Sequence, residues 1–131
     1  MKFSPDLMTE ILSGNKTVTR RPFKGKRPYT VGREYTATDQ PRWKKTEFFR
    51  KAKIKMLAAR EEVLLEITED EARKEGFKMK IDPRSPQPGP LPAVMTAKEQ
   101  FFLKWGAIYG VTDPMLVVTR YEFVVVKVLK A

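Results

Sequence analysis

Apolar residues near the start of the chain fall at Leu7, Met8, Ile11 and Leu12, one face of a helix, framed by Ser4 and Pro5 before and Gly14 after. The spacing predicts a helix over about 5–13. Thr17, Val18 and Thr19 follow as consecutive β-branched residues, which favour extended chain. Lys16 thus stands at a helix-to-strand junction. In a regular strand Lys16 and Thr19 point to opposite faces, so they meet only if the chain is irregular around 15–17, where Gly14-Asn15 makes a bend plausible.

Pro22, Gly25 and Pro28 break the next stretch into a basic loop, and 31–37 reads as a turn entering a short strand. Phe48, Ala52, Ile54 and Met56 then share one parity while Lys51, Lys53 and Lys55 share the other, which predicts a half-buried strand with a lysine face. Such lysines also discourage edge-to-edge pairing. Thr68 and Glu71 have capping-box spacing and open a two-turn helix closed by Gly76. Five prolines and a glycine at about 82–93 predict an irregular surface loop. A second capping box, Thr96 with Glu99, opens a helix to Tyr109 whose Phe101, Trp105, Ile108 and Tyr109 share a face, a spacing that fits core burial better than base stacking. A valine-rich strand over 116–129 closes the chain. The order predicts one α+β domain spanning 1–131, a small, strongly bent sheet or barrel flanked by about three helices.

The chain has neither Cys nor His, which removes thiol nucleophiles, disulfides, the usual general base and the commonest metal ligands. No metal site or cofactor is expected, and any hydrolytic chemistry falls to Lys, Thr, Ser, Tyr, Asp or Glu. No apolar run is long enough to span a bilayer and no secretory leader is visible at the amino terminus, so the expectation is a cytoplasmic monomer with no membrane partner. The abundance of Lys, Arg and Glu leans toward a thermophilic composition. Net charge is +10, unevenly spread: Lys16, Arg20, Arg21, Lys24, Lys26, Arg27 and Arg33 form an acid-free stretch. Seven basic residues between 42 and 55, among them Arg42, Lys44 and Lys45 beside Trp43, face Glu47 alone. Two such segments are what a phosphate-rich partner meets, and the plainer reading is a solvated lysine surface. Charge reversal at Arg20 or Arg27 is expected to weaken RNA binding with little loss of stability.

The chain resembles the ASCH domain family of the PUA-like superfamily. The resemblance rests on a helix ending Ile-Leu-Ser-Gly, on Gly14-x-Lys16-Thr17-Val18-Thr19-x-Arg21, on Val31-Gly32, on Ile67-Thr68-x-x-x-Ala72-x-x-Glu75-Gly76-Phe77, and on a closing strand with Glu122 and Phe123. It implies a small β-barrel flanked by helices and a cleft lined by the motif after the first helix. For activity it implies either RNA binding or hydrolysis. The motifs are similar to those of the N(4)-acetylcytidine amidohydrolases, whose catalytic lysine, threonine and glutamate fall on Lys16, Thr19 and Glu75. The basic loop, the proline-rich loop and the high positive charge depart from the compact hydrolases and fit an RNA better than a free nucleoside. The expected function is an RNA-binding module contacting RNA through Lys16, Arg20, Arg21, Lys24, Lys26, Arg27, Arg42, Trp43, Lys44 and Lys45, or acting on a modified nucleoside. The alternatives are an acetylcytidine amidohydrolase and a ribonuclease. In the alternative without chemistry, Lys16 and Glu75 form a salt bridge and Thr19 is a plain strand residue.

Overall fold

A computed structural model describes residues 1–40, 49–78, 80–81, 94–110 and 113–130. The expected proline-rich loop, and the candidate contacts Arg42, Trp43, Lys44 and Lys45, lie outside them. The elements in order are helix α1 (Pro5–Ser13), strands β1 (Val18–Pro22), β2 (Glu34–Thr38) and β3 (Lys51–Val63), a 3-10 turn (Leu64–Glu66), helix α2 (Glu69–Lys74), two-residue strands β4 (Lys80–Ile81) and β5 (Val94–Met95), helix α3 (Ala97–Tyr109) and strand β6 (Val117–Lys130). The arrangement is α+β: an antiparallel sheet of order β1-β6-β3-β2, curled into a half-barrel, with three α-helices among the described residues.

Alternation decides the faces of β3. Ala52, Ile54 and Met56 are fully buried against Met8 and Ile11 of α1 with Phe3, Ala37, Tyr121 and Phe123, while Lys51, Lys53 and Lys55 turn to the other face. A second core gathers Leu64, Ile67, Ala72, Ala97, Phe101, Trp105 and Val118 beneath α2 and α3. Glu69 of α2 joins these helices, accepting the Ala97 and Lys98 amides at 2.9 Å each at the N-terminus of α3, where Thr96 accepts the Glu99 amide.

Three local expectations differ. β3 runs on to Val63, through a charged stretch with little strand signature, because the long β6 pairs with it from Lys51 to Val63. Thr68 accepts the Glu71 amide at 3.2 Å, but the Glu71 carboxylate is drawn to arginines of the sheet rather than back to the helix start. On α3, Phe101 and Trp105 are buried, whereas Ile108 and Tyr109 are 55% and 40% exposed.

Candidate functional site

The junction after α1 is fastened on three sides. Gly14 takes φ +86° and closes α1 through its amide to the Ile11 carbonyl, 3.1 Å. The Lys16 amide donates to Glu10 O (2.9 Å), the Thr17 amide to Lys74 O (2.8 Å), and the Phe123 amide to Thr17 O (3.0 Å), so the segment is tied to α1, α2 and β6 before β1 begins at Val18. This irregular stretch lets Lys16 and Thr19 serve the same cavity. Gly76, at φ +106°, lets the end of α2 come close: a Cβ there would stand 3.1 Å from Glu10 Cβ and 3.2 Å from Lys16 Cβ.

Lys16 is only 2% exposed, and its Nζ donates to Val18 O (2.7 Å), Glu75 O (3.0 Å) and Glu75 Oε1 (2.9 Å), so an ammonium finds an acceptor for each proton. Burial pushes the amine's pKa below the ordinary lysine value; Glu75 works in the opposite direction, and the charges of Arg21 and Arg20 add to the lowering. Glu75 passes the network on, its Oε2 accepting from Arg20 Nη1 at 3.0 Å.

Arg20 stands in a row of three arginines across neighbouring strands, because Arg20 on β1 and Arg60 on β3 both lie opposite Arg120 on β6. Like charges in direct register repel, and here carboxylates answer them. Arg20 donates to Glu62 (2.5 Å), Glu71 (3.0 Å) and Glu75 (3.0 Å), Arg120 to Glu71 (2.5 Å), and Arg60 lies 3.4 Å from both Glu62 and Glu71. Burial opposes the Arg20 charge, but Glu75 and Glu62 more than offset it and the pKa is raised. Burial would lift Glu71, yet the hydrogen bond and charge of Arg120, with the charges of Arg20 and Lys74, hold it down at about 2. Arg20 is therefore committed within the protein, and the expectation that charge reversal there costs little stability is corrected by its 4% exposure and three partners.

Over this polar floor lies a cavity of about 110 Å³ whose walls are Phe3, Phe77, Phe101, Trp105 and Tyr109. Its polar lining is Lys16, Thr19, Arg20, Arg21 and Glu75, with Lys2, Ser4 and Lys104 also contributing. Two cations lie over the Phe3 ring, Arg21 Cζ 5.0 Å and Lys16 Nζ 5.8 Å from its centre. Arg21 donates to Lys2 O at 2.9 Å and has no carboxylate partner among the described residues. Nothing among them hydrogen-bonds the Thr19 hydroxyl, and Thr19, 4% exposed, lines the cavity. Engineered cavities of about 150 Å³ hold a benzene ring, so this one is on the scale of a single-ring group.

The structure thus brings Lys16, Thr19, Arg20, Arg21 and Glu75 to one place. Lys24, Lys26 and Arg27 are exposed in the loop between β1 and β2, where Arg27 forms a two-point pair with Glu61 at 2.8 Å and 2.8 Å. Sequence reasoning missed Phe3, Lys104 and Tyr109 as cavity residues, and Glu62, Glu71 and Arg120 as the site's support. The aromatic stripe of α3 was a usable signal for Tyr109, since its last turn projects beyond the core. Among the described residues no group of acidic side chains could hold a metal ion, and no helix is long and apolar enough to cross a membrane.

Neither a family model nor a curated protein sequence matches the chain. Two solved structures share its fold. A DUF984 protein from Enterococcus faecalis V583 is 17% identical, with a TM-score of 0.60 over 97% of this chain and 75% of that one. An ASCH domain from Lactobacillus crispatus JV V101 is likewise 17% identical, with a TM-score of 0.51 over 91% of this chain and 69% of its own.

Proposed function

We propose that this ASCH-like domain binds single-stranded RNA and admits one unstacked base to the cavity between α1, β1 and α3. The observation that carries the reading is the cavity itself: ring-sized, walled by aromatics, and lined by Arg21 beside cations already paired within the protein, Lys16 and Arg20 with Glu75 and Lys104 with Asp6. Sequence-tolerant recognition of single strands combines a basic surface for phosphates with aromatic faces for bases. Arg21, without a carboxylate partner among the described residues, supplies a cation for a phosphate or for a polar edge of the base. Titration of an unstructured RNA oligonucleotide across salt concentrations tests this. Binding that falls steeply with salt supports it, as does weaker binding and a shallower slope in Arg21→Ala. No measurable binding at low salt would dispose of it.

A second reading is favoured by Thr19, whose hydroxyl has no hydrogen-bond partner among the described residues and which lines the same cavity as Lys16: removal of an acyl group from the exocyclic nitrogen of N(4)-acetylcytidine. With Lys16 neutral, the Thr19 oxygen bonds to the acyl carbon and its proton passes to Nζ. The C–N bond breaks as that proton moves to the leaving nitrogen, and water then releases the acyl group from Thr19. Glu75 holds the lysine in place. Chromatography of nucleosides after incubation with acetylated RNA and with free acetylcytidine decides this reading, and cleavage of an unmodified oligonucleotide would point to a ribonuclease instead.

A further inference from the structure

The sheet face turned away from α1 carries a second set of like charges in register. Lys53 lies opposite Lys127, and Lys51 and Lys55 continue the row along β3. That pair depends on an irregularity: β6 carries an extra residue between the partners of Lys53 and Ile54, so Lys127 pairs with outward-facing Lys53 although Val125, two positions earlier, pairs with buried Ile54. A bulge of this kind re-aims a side chain. The lysines are spaced at about 6.8 Å along β3, two residues of strand rise.

The arginine row shows how this chain treats like charges that it keeps for itself. Arg20, Arg120 and Arg60 receive Glu62, Glu71 and Glu75. Lys51, Lys53, Lys55 and Lys127 have no ion pair among the described residues. The acid nearest in register is Glu34, opposite Lys55, and the other β2 neighbours are Thr36 and Thr38. Exposed Val124, opposite Lys55, extends the face with an apolar surface. Repulsion between direct neighbours is therefore left unanswered within the described chain, on an open face with complementarity to a run of phosphates.

We infer that this face is a second RNA-contact surface, engaging the phosphate backbone of a strand through Lys51, Lys53, Lys55 and Lys127 while the cavity takes a base elsewhere. The inference rests on the proposed RNA-binding function, but it concerns the opposite side of the sheet.

The test is the double variant Lys53→Thr/Lys127→Thr, with Arg21→Ala in parallel. Thermal unfolding and the affinity for a long, unstructured RNA oligonucleotide are measured at several salt concentrations. The double variant should melt at a higher temperature, since repulsion is relieved, and bind RNA more weakly. Its log-log salt slope should be shallower by about 1.4, at about 0.7 per lost phosphate contact on single strands. Higher stability with unchanged affinity and slope would overturn the inference and leave the lysines as a solvated guard against sheet pairing. Loss of affinity for anionic vesicles with RNA binding untouched would overturn it in favour of a lipid surface. Failure of wild-type protein to bind RNA removes the cavity reading as well, whereas failure of the double variant alone leaves that reading standing.

Discussion

Lys16 holds Glu75 at two points, its Nζ lying 2.9 Å from the carboxylate Oε1 and 3.0 Å from the same residue's main-chain oxygen. Both residues are nearly inaccessible, and Arg20 binds the other carboxylate oxygen. Glu75→Gln leaves buried Lys16 without its carboxylate and Arg20 with two of its three, and truncating one partner of a buried pair costs about 3–5 kcal/mol. Chemical denaturation should show a loss of that size. Lys16→Met, which keeps the length and removes the charge, should be less damaging than Lys16→Ala, which also leaves a cavity. Equal stability of all three variants and wild type would contradict the network.

Gly76→Ala should destabilise the protein by about 1–3 kcal/mol, because φ +106° is strained for an L-residue and the new methyl meets Glu10 Cβ and Lys16 Cβ. Gly14→Ala shares only the strain, with nothing near the added methyl, and should cost less. Denaturant midpoints of the two variants check the order.

Glu71 gives an acid-side signature. Its folded-state pKa of about 2 lies below the ordinary 4.5, so the unfolded chain takes up this proton more readily than the folded one. The stabilisation is full above about pH 4.5 and is lost as pH falls to about 2. Glu71→Gln should therefore be less stable than wild type at neutral pH, with the difference shrinking through that window in thermal melts.

If the acyl-transfer reading holds, Lys16 must act as the free amine. Burial lowers its pKa, so turnover should rise with pH and level off below the ordinary lysine value of 10.5. Thr19→Ala should lose several orders of magnitude of turnover and Thr19→Ser should retain part of it. A rate indifferent to pH across the alkaline range would remove Lys16 from the base role.

Much of the fold was legible because local chemistry and tertiary structure agree. Gly14 stops α1, Thr96 and Glu99 start α3 as a complete capping box, and the alternation of Ala52, Ile54 and Met56 with lysines sets the faces of β3. The continuation of β3 through Arg60, Glu61 and Glu62 was not, since those charges look like surface until Arg20 and Arg27 arrive from elsewhere in the chain to pair with Glu62 and Glu61. Of the site, the motif from Lys16 to Arg21 and distant Glu75 were visible through resemblance. Their support was hidden because its pairs, such as Arg120 with Glu71 at a separation of 49 residues, leave no periodic trace. Arg20 looks the same as Arg21 in sequence; burial separates their roles.

The central claim is that a base, and not only the phosphate chain, enters the cavity beside Phe3 and Trp105. The direct measurement compares the affinities of two oligonucleotides of equal length and charge, one carrying bases throughout and one abasic in its central positions. Stacking is worth about 1–3 kcal/mol per base, so the abasic strand should bind roughly 5- to 150-fold more weakly, and Phe3→Ala should narrow the gap. Equal affinity for the two strands would contradict the account and leave the domain as a purely electrostatic binder.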